Sequence, residues 1–222
     1  SKGKVERLQV KLHDNHISWQ DKDGEHALAL SAGQLLLVKG KAPASFNLYS
    51  TPLLMQFNQQ DEQEYIVQMN KSAAGFSIYL SAFDLAFISQ VSPLFISDKN
   101  MRDLLSQLSL EGSANNIFFK KSVGNIQALA SFTKVSTQYS QGIPGLKNLS
   151  GQLSFAENNL HLDLLAEQGA LDFDQHFVAP IVYESLNANV DLTFVDFSPD
   201  KSEWQLQVSN IDIIFHHLIQ FK

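Results

Sequence analysis

Cysteine is absent from this sequence, so the chain has no disulfide framework, no thiolate metal site and no cysteine nucleophile. Basic residues are also scarce, because 16 Lys and Arg stand against 23 Asp and Glu. They form no run along the sequence that would make a phosphate-binding stripe. The composition therefore predicts that nucleic acid is not a partner.

Long apolar runs are missing as well. No stretch approaches the roughly 20 apolar residues that a membrane-spanning helix needs. The first residues, Ser1-Lys2-Gly3-Lys4, lack the apolar centre of a signal peptide. We therefore expect an internal piece of a larger protein, with any membrane anchor outside this piece.

Familiar catalytic and cofactor motifs are absent too: Gly-x-Ser-x-Gly, the Walker loop, His-Glu-x-x-His and Gly-x-Gly-x-x-Gly do not occur. We predict no enzymatic activity and no cofactor. A hydrolase with two carboxylates needs no fixed spacing and stays an alternative, although no Asp or Glu pair stands out. Asp172, Asp174 and His176 share one strand parity, but their spacing is that of an ordinary strand, and we predict no metal site.

Alternation of apolar and polar residues is the dominant pattern and predicts β-strands. Leu8, Val10 and Leu12 alternate with polar residues, and Ile17 follows the Asp14-Asn15 turn signal, which predicts a hairpin at that point. A second hairpin is predicted between residues 27–30 and 35–38, within a meander that occupies the first eighty residues. His161 falls on the polar positions of a later strand, so we expect it to face solvent.

Two features interrupt the strands. Apolar residues at helical spacing predict one or two short helices around residues 84–108. The Ile143-Pro144-Gly145 segment breaks the pattern, because Pro removes a ladder donor and Gly tolerates positive φ. We read residues 1–222 as a single β-rich segment with a subdomain seam near residues 141–147.

The fold class follows from the strand lengths. Strands of eight or more residues joined by simple hairpins are typical of a broad antiparallel sheet. We expect a mainly β protein whose long antiparallel strands form a strongly curled sheet or a half-open groove. The apolar stripes line either a closed core or such a groove, and periodicity alone leaves both open.

An ordered series of short motifs gives a further indication. A Pro-Gly break lies at residues 143–145, a Leu-x-Gly-x-Leu strand at 149–153, a Leu-x-Leu return at 160–162 and a Phe-x-x-Pro at 177–180, before the strand at 186–194. In this order, over about Leu80 to Phe215, the chain resembles the AsmA-like superfamily and within it the YhdP-type proteins of Gram-negative bacteria.

The resemblance implies a function as well as a fold. It implies a β-sheet curled into an elongated apolar groove in the periplasm, held by an inner-membrane anchor that lies outside this chain. Phospholipid or another acyl-chain ligand would move along the groove between the inner and outer membranes, or the protein would support outer-membrane integrity, with envelope proteins as further partners. The groove candidates share the apolar faces of consecutive strands. They are Leu153, Phe155, Leu160, Leu162, Leu164, Val190, Leu192, Phe194, Leu206 and Val208.

One different function fits the same residues. The sheet could close its own core and act as a structural or protein-binding β module without a ligand. A dry, filled interior would favour this alternative.

Overall fold

The structure is a computed structural model that describes residues 6–21, 24–57, 61–88, 99–140, 144–173, 177, 179–194 and 204–215. These residues contain long strands, a 3₁₀ helix at Leu85–Phe87 and one α-helix, α1, at Lys99–Leu108. The strands are β1 (Arg7–Asp21), β2 (Gly24–Lys39), β3 (Phe46–Ser50), β4 (Leu53–Phe57), β5 (Gln63–Tyr65), β6 (Val67–Ser72), β7 (Gly75–Asp84), β8 (Glu111–Ser122), β9 (Asn125–Thr137), β10 (Gly145–Ala156), β11 (Asn159–Asp172), β12 (Ile181–Phe194) and β13 (Trp204–Phe215).

Within the described residues, the strands make one 13-stranded sheet whose two end strands do not pair with each other. Its order runs from β13 back to β6 and then through β3, β2, β4 and β5, with β1 added to β2. The strand pairs whose registers are resolved are antiparallel. The predicted class, mainly β with long antiparallel strands and short helices between residues 84 and 108, is confirmed.

The first strands follow chain order once two breaks are recognised. β3 and β4 lie end to end along the same side of β2, interrupted at Thr51 and Pro52. β5 and β6 lie end to end against them, interrupted at Ile66. Pro52 has no N–H for the ladder, which explains the first break. The arrangement is the predicted meander, with two of its strands broken in the middle.

The two hairpins predicted inside the first forty residues are wrong. β1 and β2 are single strands that pair along their whole lengths, from Arg7 opposite Val38 to Asp21 opposite Gly24. The Asp14-Asn15 signal marks a kink within β1, where Asp14 has a φ of 50°. Asp tolerates this left-handed conformation in a kink as readily as in a turn, so the residue type did not distinguish the two.

Similar kinks occur at neighbouring points of β9, β10 and β11. Lys134, Asn148 and Gln168 have φ values of 52°, 59° and 54°. The Asn148 N–H donates to Ser136 Oγ on β9, and the Asn148 side-chain amide donates to the Glu167 carbonyl on β11. The apolar alternation of β10 changes parity here, from Leu146 to Leu149, so the kink keeps apolar side chains on one face.

The chain divides into two compact units. Unit 1 comprises Ser1–Phe83 with Asn116–Gln127, and unit 2 comprises Asp84–Asn115 with Ala128–Lys222. The seam predicted near residues 141–147 falls partly on residues 141–143, which lie outside the described residues, and stays a prediction. In unit 2, partly buried Phe132, Leu146, Leu164 and Leu171 pack on a buried cluster. That cluster consists of Leu149, Ala166, Tyr183, Leu186 and Ala188.

Candidate functional site

The groove candidates occupy four consecutive strands, β10 to β13, in unit 2. Residues directly opposite one another in an antiparallel pair lie on the same face of the sheet. The registers therefore place the candidates in rows that cross all four strands on one face. One row consists of Phe155, Leu160, Leu192 and Leu206, and the next of Leu153, Leu162, Val190 and Val208.

The remaining two candidates continue this face at its two ends. Leu164 lies opposite Gly151 and Ala188, and Phe194 lies opposite Trp204. A Cβ at Gly151 would collide with the Asp163 carbonyl and press on the Phe132 ring. The small residues beside Leu164 therefore let the neighbouring backbone approach closely.

Burial changes along this face. Leu149, Ala166 and Leu186 hold directly opposite positions and are only 7%, 3% and 7% exposed. Towards the β10–β11 turn, the described side chains are half-buried, as at Leu153 and Leu162. The apolar face is thus closed over the buried cluster and more open at the other end of the strands. We call the part of this face at the register positions of the ten candidates the unit 2 apolar face.

The reverse face of the same strands carries a polar network around His161. His161 lies opposite Asp191, and Asp163 lies opposite Asn189. The His161 ring joins two carboxylates, with Nδ1 2.6 Å from Asp191 Oδ1 and Nε2 3.0 Å from Asp163 Oδ1. Asn189 donates a further hydrogen bond to Asp163 Oδ1 at 2.5 Å. The predicted solvent-facing position of His161 agrees with a side chain that is 41% exposed.

The hydrogen bond to Asp191 is the main reason that the pKa of His161 is raised from its usual value. The negative charges of Asp163 and Asp191 act in the same direction, whereas partial desolvation opposes the shift. Alternation in the sequence placed the histidine on this face but could not show its main partner, because Asp191 is thirty residues away.

A second apolar row lies in unit 1 and is absent from the sequence-derived candidates. It crosses five strands on one face, because each member lies directly opposite the next. The row consists of Leu8, Leu37, Leu48, Met69 and Ile78. Leu8 on the edge strand β1 is 49% exposed, and the other four are half-buried. The alternation within each strand was visible in the sequence. Which residues lie opposite one another in the row is known only from the register of the strand pairs.

One cavity in unit 2 has walls of mixed polar and apolar character. Its volume is about 320 Å³, and it is the size of a small ligand site. Its lining contains one carboxylate, whereas the two-carboxylate hydrolase considered above needs a convergent pair. The lining residues are Thr137, Gln138, Tyr139, Gly145, Lys147, Ala170, Asp172 and Pro180.

Metal-ligating side chains do not converge within the described ranges, where no group of three or more His, Asp or Glu could hold an ion. Two of the three residues weighed for a metal, Asp174 and His176, lie outside the described residues. The absence of a metal site stays a prediction. Among the helices that the structure describes, none is long and apolar enough to cross a membrane.

The chain matches a known protein family. The model of a protein family described as "YhdP protein" matches residues 1–219, which is nearly the whole chain. No curated protein and no solved structure matches the chain.

Proposed function

The chain belongs to the YhdP family, and from this premise we propose that it is a periplasmic segment of an envelope protein that offers an apolar β-groove to phospholipid. In this proposal, acyl chains pass along the apolar faces during transport between the inner and outer membranes, which also maintains outer-membrane integrity. The segment acts by binding, without a catalytic residue or a cofactor. The anchor that holds it at the inner membrane lies elsewhere in the protein.

One observation supports this proposal most directly. The unit 2 apolar face extends over four strands in register while its described side chains stay half-buried. An ordinary core would bury such side chains more completely, as it buries Leu149 and Leu186 on the same face. Extended apolar surface of this kind is typical of ligand-binding or interaction sites.

The mechanism is passive. An acyl chain laid on the face removes its own methylenes and the protein's Leu, Val and Phe side chains from water. Each buried methylene contributes about 0.8 kcal/mol. Because aliphatic contacts are non-directional, the chain can shift from one row to the next without breaking a hydrogen bond. The polar network of His161, Asp163 and Asp191 lies on the reverse face, so it does not hold the acyl chain in one position.

A closed structural module is the second candidate, and the buried cluster around Tyr183 favours it. Tyr183 has no exposed surface, and its hydroxyl donates to the Lys147 carbonyl at 3.2 Å. If the same packing covered the whole face, no ligand would enter.

Lipid binding by the purified chain distinguishes a lipid-binding segment from a closed structural module. Native mass spectrometry before and after incubation with phospholipid vesicles should detect bound lipid. The double variant Leu162→Asp/Leu192→Asp should lower the bound fraction at least about tenfold, because each carboxylate would require desolvation beside an acyl chain.

A matched control uses the reverse face of the same two strands. Leu165 is 54% exposed and Thr193 is exposed, and both have the parity opposite to the candidates. The variant Leu165→Asp/Thr193→Asp should bind lipid as the parent does. Equal lipid binding by both folded double variants would reject the face assignment, and a parent chain that takes up no lipid would support the closed module.

A further inference from the structure

The apolar face of unit 1 ends in a row of charged and aromatic residues. Lys39, Phe46, Lys71 and Phe76 lie directly opposite one another on β2, β3, β6 and β7. They therefore share a face. Each stands two residues along its strand from a member of the apolar row described above, as Lys39 does from Leu37 and Lys71 from Met69. Residues two apart in a strand point to the same side.

A third lysine extends this row onto β8. The Phe119 ring packs against the Phe76 ring with centroids 5.7 Å apart, so the two share a face. Lys121 follows Phe119 by two residues, and its backbone carbonyl lies against Gly75 at the start of β7. Lysine and phenylalanine thus alternate over four neighbouring strands, and Lys121 continues the same face on the next strand. We call Lys39, Lys71 and Lys121 the lysine row.

The spacing and exposure of the lysine row suit an anionic ligand. Neighbouring strands are about 4.8 Å apart, which places Lys39 and Lys71, two strands from each other, roughly 10 Å apart. All three lysines are exposed. Within the part of the chain that the structure describes, none of them has an ion-pair partner. The sequence showed no basic stripe because these lysines come from strands far apart in the chain.

We propose that the lysine row binds the phosphate of a glycerophospholipid whose acyl chains lie on the adjoining apolar row. The inference rests on the proposed function and assigns the headgroup end of that site. Two residues of a strand span about 7 Å, which matches the distance from a lipid phosphate to the first buried methylenes. Lysine is a mobile point charge, which suits a phosphate that moves from one cation to the next.

Phenylalanines between lysines also occur in platforms that stack single-stranded nucleic acid. Two observations favour lipid. The next positions on the same face are aliphatic, at Leu37, Leu48, Met69 and Ile78, where nucleobases would find no stacking partner. The chain also carries a net charge of −7, which repels a polyanion.

The test compares two lipids with the same acyl chains. Phosphatidylglycerol carries a phosphate, and diacylglycerol does not. Either lipid, dispersed in micelles of a non-ionic detergent that contains no phosphate, is incubated with the protein, and native mass spectrometry counts what is bound. The variant Lys39→Gln/Lys71→Gln/Lys121→Gln should bind phosphatidylglycerol at least about tenfold less, since charge-assisted hydrogen bonds are lost. Its binding of diacylglycerol should be unchanged.

The control variant is Lys11→Gln/Lys41→Gln/Lys120→Gln, which removes the same charge from exposed positions outside the row. It should retain the parent's preference for phosphatidylglycerol. Inorganic phosphate and a fluorescent oligothymidylate are tested as competitors, and neither should displace the lipid.

Each other outcome overturns the proposal in a recognisable way. Parent protein that binds neither lipid would refute the proposed function itself. Equal binding of both lipids by parent and lysine variant would refute only the headgroup assignment. An equal loss in the control variant would show a general charge effect. Displacement by oligothymidylate would assign the row to single-stranded nucleic acid, and displacement by inorganic phosphate would assign it to a free anion.

Discussion

At the scale of the residue, the His161 cluster couples the stability of unit 2 to pH. The imidazolium form is favoured in the folded chain by the hydrogen bond to Asp191 and by the charge of Asp163, so its folded pKa lies above 6.5. A group whose pKa rises on folding stabilises the folded state while it is protonated. The stabilisation is fully present below pH 6.5 and is lost as the pH rises through the raised pKa.

We therefore expect the variant His161→Gln to be less stable than the parent at about pH 5.5 and to approach it at about pH 8.5. Urea unfolding across this range measures the difference, and an NMR titration of the His161 ring should give a midpoint above 6.5. Exposed His13, whose ring lies beside the Asp14 carboxylate and the Ser31 carbonyl, provides the control variant His13→Gln. A stability difference that grows with rising pH would contradict the assignment.

At the scale of the element, the kinks explain what the alternation could and could not predict. The strands, their apolar faces and the pairing of β10 with β11 were readable, because period two fixes which side chains share a face. The kinks could not be predicted from the sequence, because a change of parity at Asp14 has the same sequence signature as a turn. The sequence contains the deciding signal only indirectly: β1 must continue through Asp14 to pair with β2 from Val38 to Gly24.

Asn148 provides a test of the kinks in β10. Its φ of 59° is costly for a β-branched residue and free for glycine. The variant Asn148→Val should lower the free energy of unfolding by about 1–3 kcal/mol. In Asn148→Gly, the free energy gained by relieving the backbone strain should offset much of the free energy lost with the hydrogen bond to the Glu167 carbonyl. Chemical denaturation measures both.

Gln152 supplies the comparison for this pair, since it is exposed on the same strand and outside the set of left-handed residues. Gln152→Val should leave stability within about 0.5 kcal/mol of the parent. If Asn148→Val changed the free energy of unfolding as little as Gln152→Val, the left-handed conformation at residue 148 would not affect the stability of the fold.

At the scale of the whole molecule, composition and alternation predicted the sheet. Which residues form the candidate sites depends on how strands far apart in the sequence pair with one another. The registers place the ten candidates of unit 2 at positions of one face, whereas their role as a lipid groove stays a prediction, and a slip of one residue would have reversed the face. The apolar row and the lysine row of unit 1 were missed, because their members are joined by pairings between β2, β3, β6 and β7. No local pattern encodes which strand position lies opposite which.

Each unit thus presents its own apolar row, and the proposed function predicts that each holds acyl chains. If the two act independently, their contributions to lipid binding should add. Leu37→Asp/Met69→Asp in unit 1 should remove roughly half of the lipid bound per chain, as should Leu162→Asp/Leu192→Asp in unit 2. The quadruple variant should bind almost none, and lipid extraction with quantitative mass spectrometry gives the counts. Complete loss from either double variant alone would mean that lipid requires both rows at once, because one row then buries too little of the acyl chain to hold it.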